Sequence, residues 1–186
     1  MISDYRMKLI TSKVKQLHNE LGISQYPIKM PRLLRKHFSD RIIIKQLNIN
    51  GNADMISNYD PIHDITAIII NKKRTSPQLH KRLNFSLAHE LGHIALEHYK
   101  MYSNTDKLNL DIAEEEANEF AGQFLVPEDE FYAHPYDIHF LSNYFFVSPE
   151  VIMKRDIIIR ELQYKRQLEK EKKKIDDLLD RYLLNF

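Results

Sequence analysis

Leu83-Asn84-Phe85-Ser86-Leu87-Ala88-His89-Glu90-Leu91-Gly92-His93-Ile94-Ala95-Leu96 is the stretch on which the reading of this chain turns. Residues four apart on a helix share a face, so His89 and His93 fall one turn apart. Two imidazoles so placed can bind one metal ion, with Glu90 beside the first holding a water in an open coordination position. Zinc makes such a water acidic enough to attack a carbonyl near neutral pH. The same spacing arises in ordinary surface helices. Here Leu83, Phe85, Leu87 and Ala88 precede it and Ile94, Ala95 and Leu96 follow it. Two histidines and a glutamate in such a segment are expected to be buried or half-buried, and buried polar groups need partners. A metal ion is the economical one. Gly92 costs about 1 kcal/mol relative to Ala inside a helix. Its bare backbone is explained if another segment or a substrate approaches closely there.

A third ligand is expected on another element. Glu114, Glu115 and Glu116 lie in a helical run, Glu-Glu-Glu-Ala-Asn-Glu-Phe-Ala, about one helix downstream. Ala113, Ala117, Phe120, Ala121 and Phe124 mark the buried face of that run. Glu114 falls near its edge, Glu115 points away, and Glu116 lies off the opposite flank. Glu114 is therefore the first choice of ligand and Glu116 the alternative. Small Ala117 and Ala121 allow this helix to press against the histidine helix. Asn118, one turn beyond Glu114, is placed to accept the second ring N–H of a ligand histidine.

Outward from this centre, Ser3 caps a helix carrying Met7, Ile10, Val14, Leu17 and Leu21, with Gly22 as its stop. Pro31 opens a short helix. Strands are expected over 41–49, 53–59 and 65–70, the last being the strongest. One long helix is expected over 78–99, a loop over 100–109 and a second core helix over 111–125. The pattern is α+β: mostly helical, with a small sheet before the histidine helix.

The segments 82–94, 114–121 and Phe124-Leu125-Val126-Pro127 together resemble the ImmA/IrrE family of metallo-endopeptidases. The likeness covers residues 40–130 and continues more loosely to Arg155. It implies a zincin-like fold and one zinc per chain. It also implies limited proteolysis of a regulatory protein, commonly a helix-turn-helix repressor of a mobile element, phage or stress locus. Carried over, His89 and His93 are zinc ligands, Glu90 is the general base, and Glu114 matches the acid of a Glu-x-x-Ala-Asn pattern. For the donor that stabilises the transition-state oxyanion, Tyr99, Tyr102, His98 and Tyr132 all stay open.

The expected division is a peptidase domain over 1–130 and a helical region over 131–186. Within the latter, residues 140–155 have a helix-turn-helix texture, with Ser148 as N-cap and Pro149 at the first helical position. Lys154, Arg155 and Arg160 are its possible phosphate contacts. Residues 160–181 read as a charged helical tail packed along one side, with Tyr164, Leu168, Ile175, Leu178 and Tyr182 at heptad-like spacing. The alternative function is therefore a regulatory module with a structural or vestigial zinc site that binds DNA or a partner protein. In that case His98, His134 or His139 would close the coordination sphere.

Composition narrows these choices. The 186 residues carry a formal net charge of +1 and no cysteine. Absence of cysteine excludes disulfides, a thiol nucleophile and thiolate-bound zinc. Near-neutrality gives no global pull towards nucleic acid. No apolar run approaches the length of a membrane span. The expectation is a cytoplasmic protein acting on a protein substrate, with DNA contact not favoured.

Overall fold

The computed structural model describes residues 2–73, 76–101 and 107–183. Ser3 accepts the Arg6 amide hydrogen and starts α1 (Asp4–Glu20), which buries Ile10, Val14 and Leu17 and ends before Gly22 at φ +62°. Pro31 sits in the first turn of α2 (Met30–His37). Three strands follow: β1 (Ile42–Leu47), β2 (Met55–Asp60) and β3 (Ile65–Asn71). The sheet order is β1-β3-β2, with β1 parallel and β2 antiparallel to β3. β3, the most apolar strand, takes the centre, where both edges are paired. In β2, Ser57 lies opposite Ile68 and Tyr59 opposite Thr66. Spaced by two, Ser57 and Tyr59 share one face of the strand.

Ser76 accepts the Leu79 amide hydrogen and Pro77 opens α3 (Pro77–Ala95). Buried Asn84 of this helix accepts from the Met30 amide at 2.9 Å and donates to the carbonyl of Ile28 at 3.0 Å. It thereby ties the start of α2 to α3. The expected continuous helix to residue 99 is not formed. Leu96 caps α3, Glu97 takes φ +58°, and a short α4 (His98–Met101) starts in a new direction. A left-handed residue at this point ends the hydrogen-bond ladder, as at many helix C-termini.

α5 (Lys107–Leu125) begins earlier than residue 111 and packs along α3 and α1. A Cβ on Gly92 would lie 3.0 Å from Phe120 Cδ1 and 3.2 Å from the Cα and carbonyl oxygen of Ala117. The expectations for Gly92 and Ala117 meet in this one contact. For Gly92→Ala, overpacking of about 1–3 kcal/mol outweighs a helix-propensity gain of about 1 kcal/mol. The expected result is a lower unfolding midpoint in urea. A higher midpoint would show that α5 retreats without cost.

After α6 (Glu128–Tyr132) and α7 (Ile138–Tyr144), one unbroken α8 (Pro149–Leu183) replaces the separate helix and tail of the sequence reading. Ile152, Arg155 and Ile159 form its buried face. Arg155 donates to the Val126 carbonyl and to Glu119, each at 3.0 Å. It is thus a core residue and does not offer itself to phosphate. Arg160 pairs with Asp156 at 2.8 Å. From 163 to 180 every residue is exposed, Tyr164, Leu168, Ile175 and Leu178 included, so the tail is not packed along one side. No described helix is long and apolar enough to cross a membrane.

Candidate metal centre

On α3 the Nε2 atoms of His89 and His93 stand 2.9 Å apart. α5 delivers Glu114, whose two carboxylate oxygens lie 3.2 Å from His89 Nε2 and 3.3 Å from His93 Nε2. One ligand atom from each of the three residues lies within 4.8 Å of the others. Two zinc–nitrogen bonds of about 2.0 Å at a tetrahedral angle put their nitrogens roughly 3.3 Å apart, so the cluster has the dimensions of a metal site. His89 Nδ1 donates to Asn118 Oδ1 at 3.0 Å, which leaves the Nε2 of a neutral ring as a bare lone pair. Burial, followed by repulsion from His89 and His98, pushes the His93 pKa down to about 3. His93 is therefore neutral at physiological pH, the state a ligand requires. A carboxylate and two imidazole nitrogens converging on one point fit a divalent cation.

Glu114 is exposed at 60% of its side chain. Glu116, placed off the flank by the sequence reading, is instead fully buried. Ala113, Glu116, Ala117 and Phe120 are spaced as one helix face, and the packing of α1 on α5 widens that face enough to cover Glu116. Its carboxylate accepts from His98 Nε2 at 2.9 Å and from Arg6 of α1 through both Nε, at 2.6 Å, and Nη2. Burial raises the Glu116 pKa, but the bonds from Arg6 and His98 outweigh it and hold the carboxyl below its ordinary range. Glu116 thus stands behind the cluster.

Glu90 is buried beside the two histidines, its carboxylate held by two hydroxyls. Ser57 Oγ of β2 donates to Oε1 at 2.8 Å and Tyr99 Oη of α4 donates to Oε2 at 2.9 Å. Burial first, then the charge of Glu90, raises the Tyr99 pKa far above its ordinary value, so the phenol keeps its proton. Its ring stacks on Tyr59 with centroids 4.4 Å apart and planes 9° apart. Tyr59 is anchored in turn by a 2.9 Å bond to Asp64. Ser57 and Tyr59 were missed by sequence reasoning. Period-two spacing places them together, but nothing in the spacing says that β2 faces α3.

Beside the cluster lies a cavity of about 310 Å³ lined by Tyr59, Pro61, His93, His98, Tyr99, Leu110, Ala113 and Glu114. Among the described residues no fourth ligand joins the group. His98 sits behind His93, His134 bonds Glu130 at 3.4 Å, and His139 is exposed. Of the oxyanion candidates, Tyr99 is bonded to Glu90 and Tyr132 donates to Gln163 at 3.2 Å. Tyr102 lies outside the described residues.

The depressed pKa of His93 has a measurable consequence. Below its ordinary value of 6.5 the unfolded chain takes up a proton that the folded chain refuses until about pH 3. The unfolded state then binds more protons, so stability falls with falling pH. The metal-free protein is expected to lose stability progressively between these two values. In His93→Gln that part of the slope is expected to vanish, as read from urea midpoints across the pH range.

Two histidines one turn apart, a carboxylate from a neighbouring helix as the third converging group and an adjacent glutamate share the layout of the H-E-x-x-H metal sites. Residues 36–155 match the model of the IrrE N-terminal-like domain, a peptidase family. The match spans well over half of the chain, which therefore belongs to that family. A solved structure described as a Mycobacterium tuberculosis transcriptional regulator superposes with a TM-score of 0.55 at 20% identity. The superposition covers 77% of this chain and 44% of that one, so this chain spans less than half the length of that protein. At this identity the likeness concerns the fold. No curated protein matches the sequence.

Proposed function

We propose that this protein is a zinc-dependent endopeptidase that cuts a regulatory protein at a limited site. Its substrate is a helix-turn-helix transcriptional repressor of a mobile element, phage or stress locus, met in the cytoplasm. The observation that carries the reading is the convergence of His89 Nε2, His93 Nε2 and the Glu114 carboxylate, with Glu90 alongside and no fourth protein ligand among the described residues. Family membership supports the peptidase class and suggests the kind of substrate.

A divalent ion held by these three residues supplies Lewis acidity towards a water and a peptide carbonyl. The chain's own residues do the rest. Glu90 is the general base, a buried carboxylate that takes the proton of the attacking water and passes it to the leaving amine. Ser57 and Tyr99 fix its rotamer, and the stacked pair Tyr59 and Tyr99 walls one side of the site. Asn118 holds the His89 ring in the tautomer that leaves Nε2 free. The burial of Arg155 weighs against a DNA-binding module as the main role.

The test is incubation of zinc-loaded protein with a candidate helix-turn-helix repressor, followed by mass spectrometry of the products. One internal cut, absent with Glu90→Gln, is the expected result. An intact repressor in both reactions would refute the substrate assignment.

A further inference from the structure

We infer that His98, Glu116 and Arg6 form a positioning chain behind His93, so that the N-terminal helix α1 is part of the metal centre. The inference rests on the reading of His93 as a metal ligand. His93 Nδ1 lies 3.1 Å from His98 Nδ1, and His98 Nε2 lies 2.9 Å from Glu116 Oε2. Glu116 accepts a two-pronged guanidinium from Arg6 on its two oxygens. The side chains of His98 and Glu116 are only 2% and 1% exposed, and that of Arg6 is 18% exposed.

Proton positions follow from the partners. Glu116, held ionised by Arg6, is an acceptor only, so His98 Nε2 carries a hydrogen. A neutral His98 then presents a lone pair at Nδ1. Only a hydrogen on His93 Nδ1 satisfies that contact, and it leaves His93 Nε2 bare on the side of His89 and Glu114. The chain therefore selects the ring orientation and tautomer in which His93 binds metal. Carboxylate partners behind metal-bound histidines do this commonly; here a second imidazole is interposed.

Two features of the fold build the chain. In a continuous helix His98 would be turned about 140° from His93. The left-handed Glu97 ends α3 and brings the His98 ring back onto His93. Arg6 comes from α1, which precedes the matched family segment 36–155. Undocking α1 would strip Glu116 of its counter-charge and loosen His93.

The test measures zinc affinity by chelator competition for wild type, His93→Ala, His98→Phe, Glu116→Gln, Arg6→Ala and Arg6→Lys, with urea melts of each metal-free protein. His98→Phe and Glu116→Gln are expected to bind zinc about 10–100-fold more weakly. Arg6→Ala is expected to weaken binding in the same direction, with partial recovery in Arg6→Lys. Arg6 reaches the surface, so its variants carry the test if a buried variant does not fold. Long-range proton–nitrogen spectra of the zinc-loaded wild type, labelled in histidine, should show hydrogens on His93 Nδ1 and His98 Nε2. Wild-type affinity in the His98, Glu116 and Arg6 variants, with binding lost in His93→Ala, would overturn the chain and spare the metal site. A hydrogen on His98 Nδ1 would do the same. No zinc binding by the wild type would overturn both.

Discussion

Glu90→Gln is expected to slow peptide cleavage by roughly 100- to 10,000-fold, the usual contribution of a positioned acid–base group, while leaving fold and zinc content unchanged. Glu90 is not among the three converging residues that could hold the ion, so its loss is expected to remove no metal bond. The glutamine side chain has the same shape, and the hydroxyls of Ser57 and Tyr99 can rotate to meet its amide. What disappears is a group able to take a proton beside the metal position. Comparison of initial rates on the cleaved repressor, alongside elemental analysis of both proteins, checks this. A variant that cuts at the wild-type rate would assign the base elsewhere. A variant that loses zinc would make Glu90 a ligand.

His93→Ala is the second large change. It removes one of the three proposed ligands and leaves His98 Nδ1 facing an empty space behind the cluster. A metal that binds only the folded state stabilises it by about 2.7 kcal/mol at a hundred-fold excess over its dissociation constant. Wild type is therefore expected to melt at a higher temperature on addition of zinc, whereas His93→Ala is expected to show no such shift and no cleavage. A zinc-dependent shift of wild-type size in the variant would place the bound ion outside this cluster.

Much of the centre was legible because helical geometry is local. His89 and His93 need only the four-residue spacing, and Gly92 with Ala117 announced the close approach of α3 and α5. The same phase argument put Glu114 at the edge of α5 and Asn118 one turn beyond it, where its carbonyl meets His89. The departures from the sequence expectations have separate causes. The phase of its own helix puts Glu116 on the flank, whereas its burial depends on α1, more than a hundred residues away in sequence. The charge of Arg155 suggests a phosphate contact, but its spacing with Ile152 and Ile159 puts it on a buried face. Ser57 and Tyr99 reach Glu90 through a strand pairing and a helix break that no periodicity encodes. The break at Glu97 carries no glycine or proline to announce it.

The central claim is that His89, His93 and Glu114 hold one zinc ion. Elemental analysis of untagged protein after gel filtration tests it most directly, on wild type, His93→Ala, Glu114→Ala and Glu115→Ala. The expected result is close to one zinc per chain in wild type and in Glu115→Ala, with little or none in His93→Ala and Glu114→Ala. A folded wild type without zinc, or zinc retained in His93→Ala and Glu114→Ala, would contradict it.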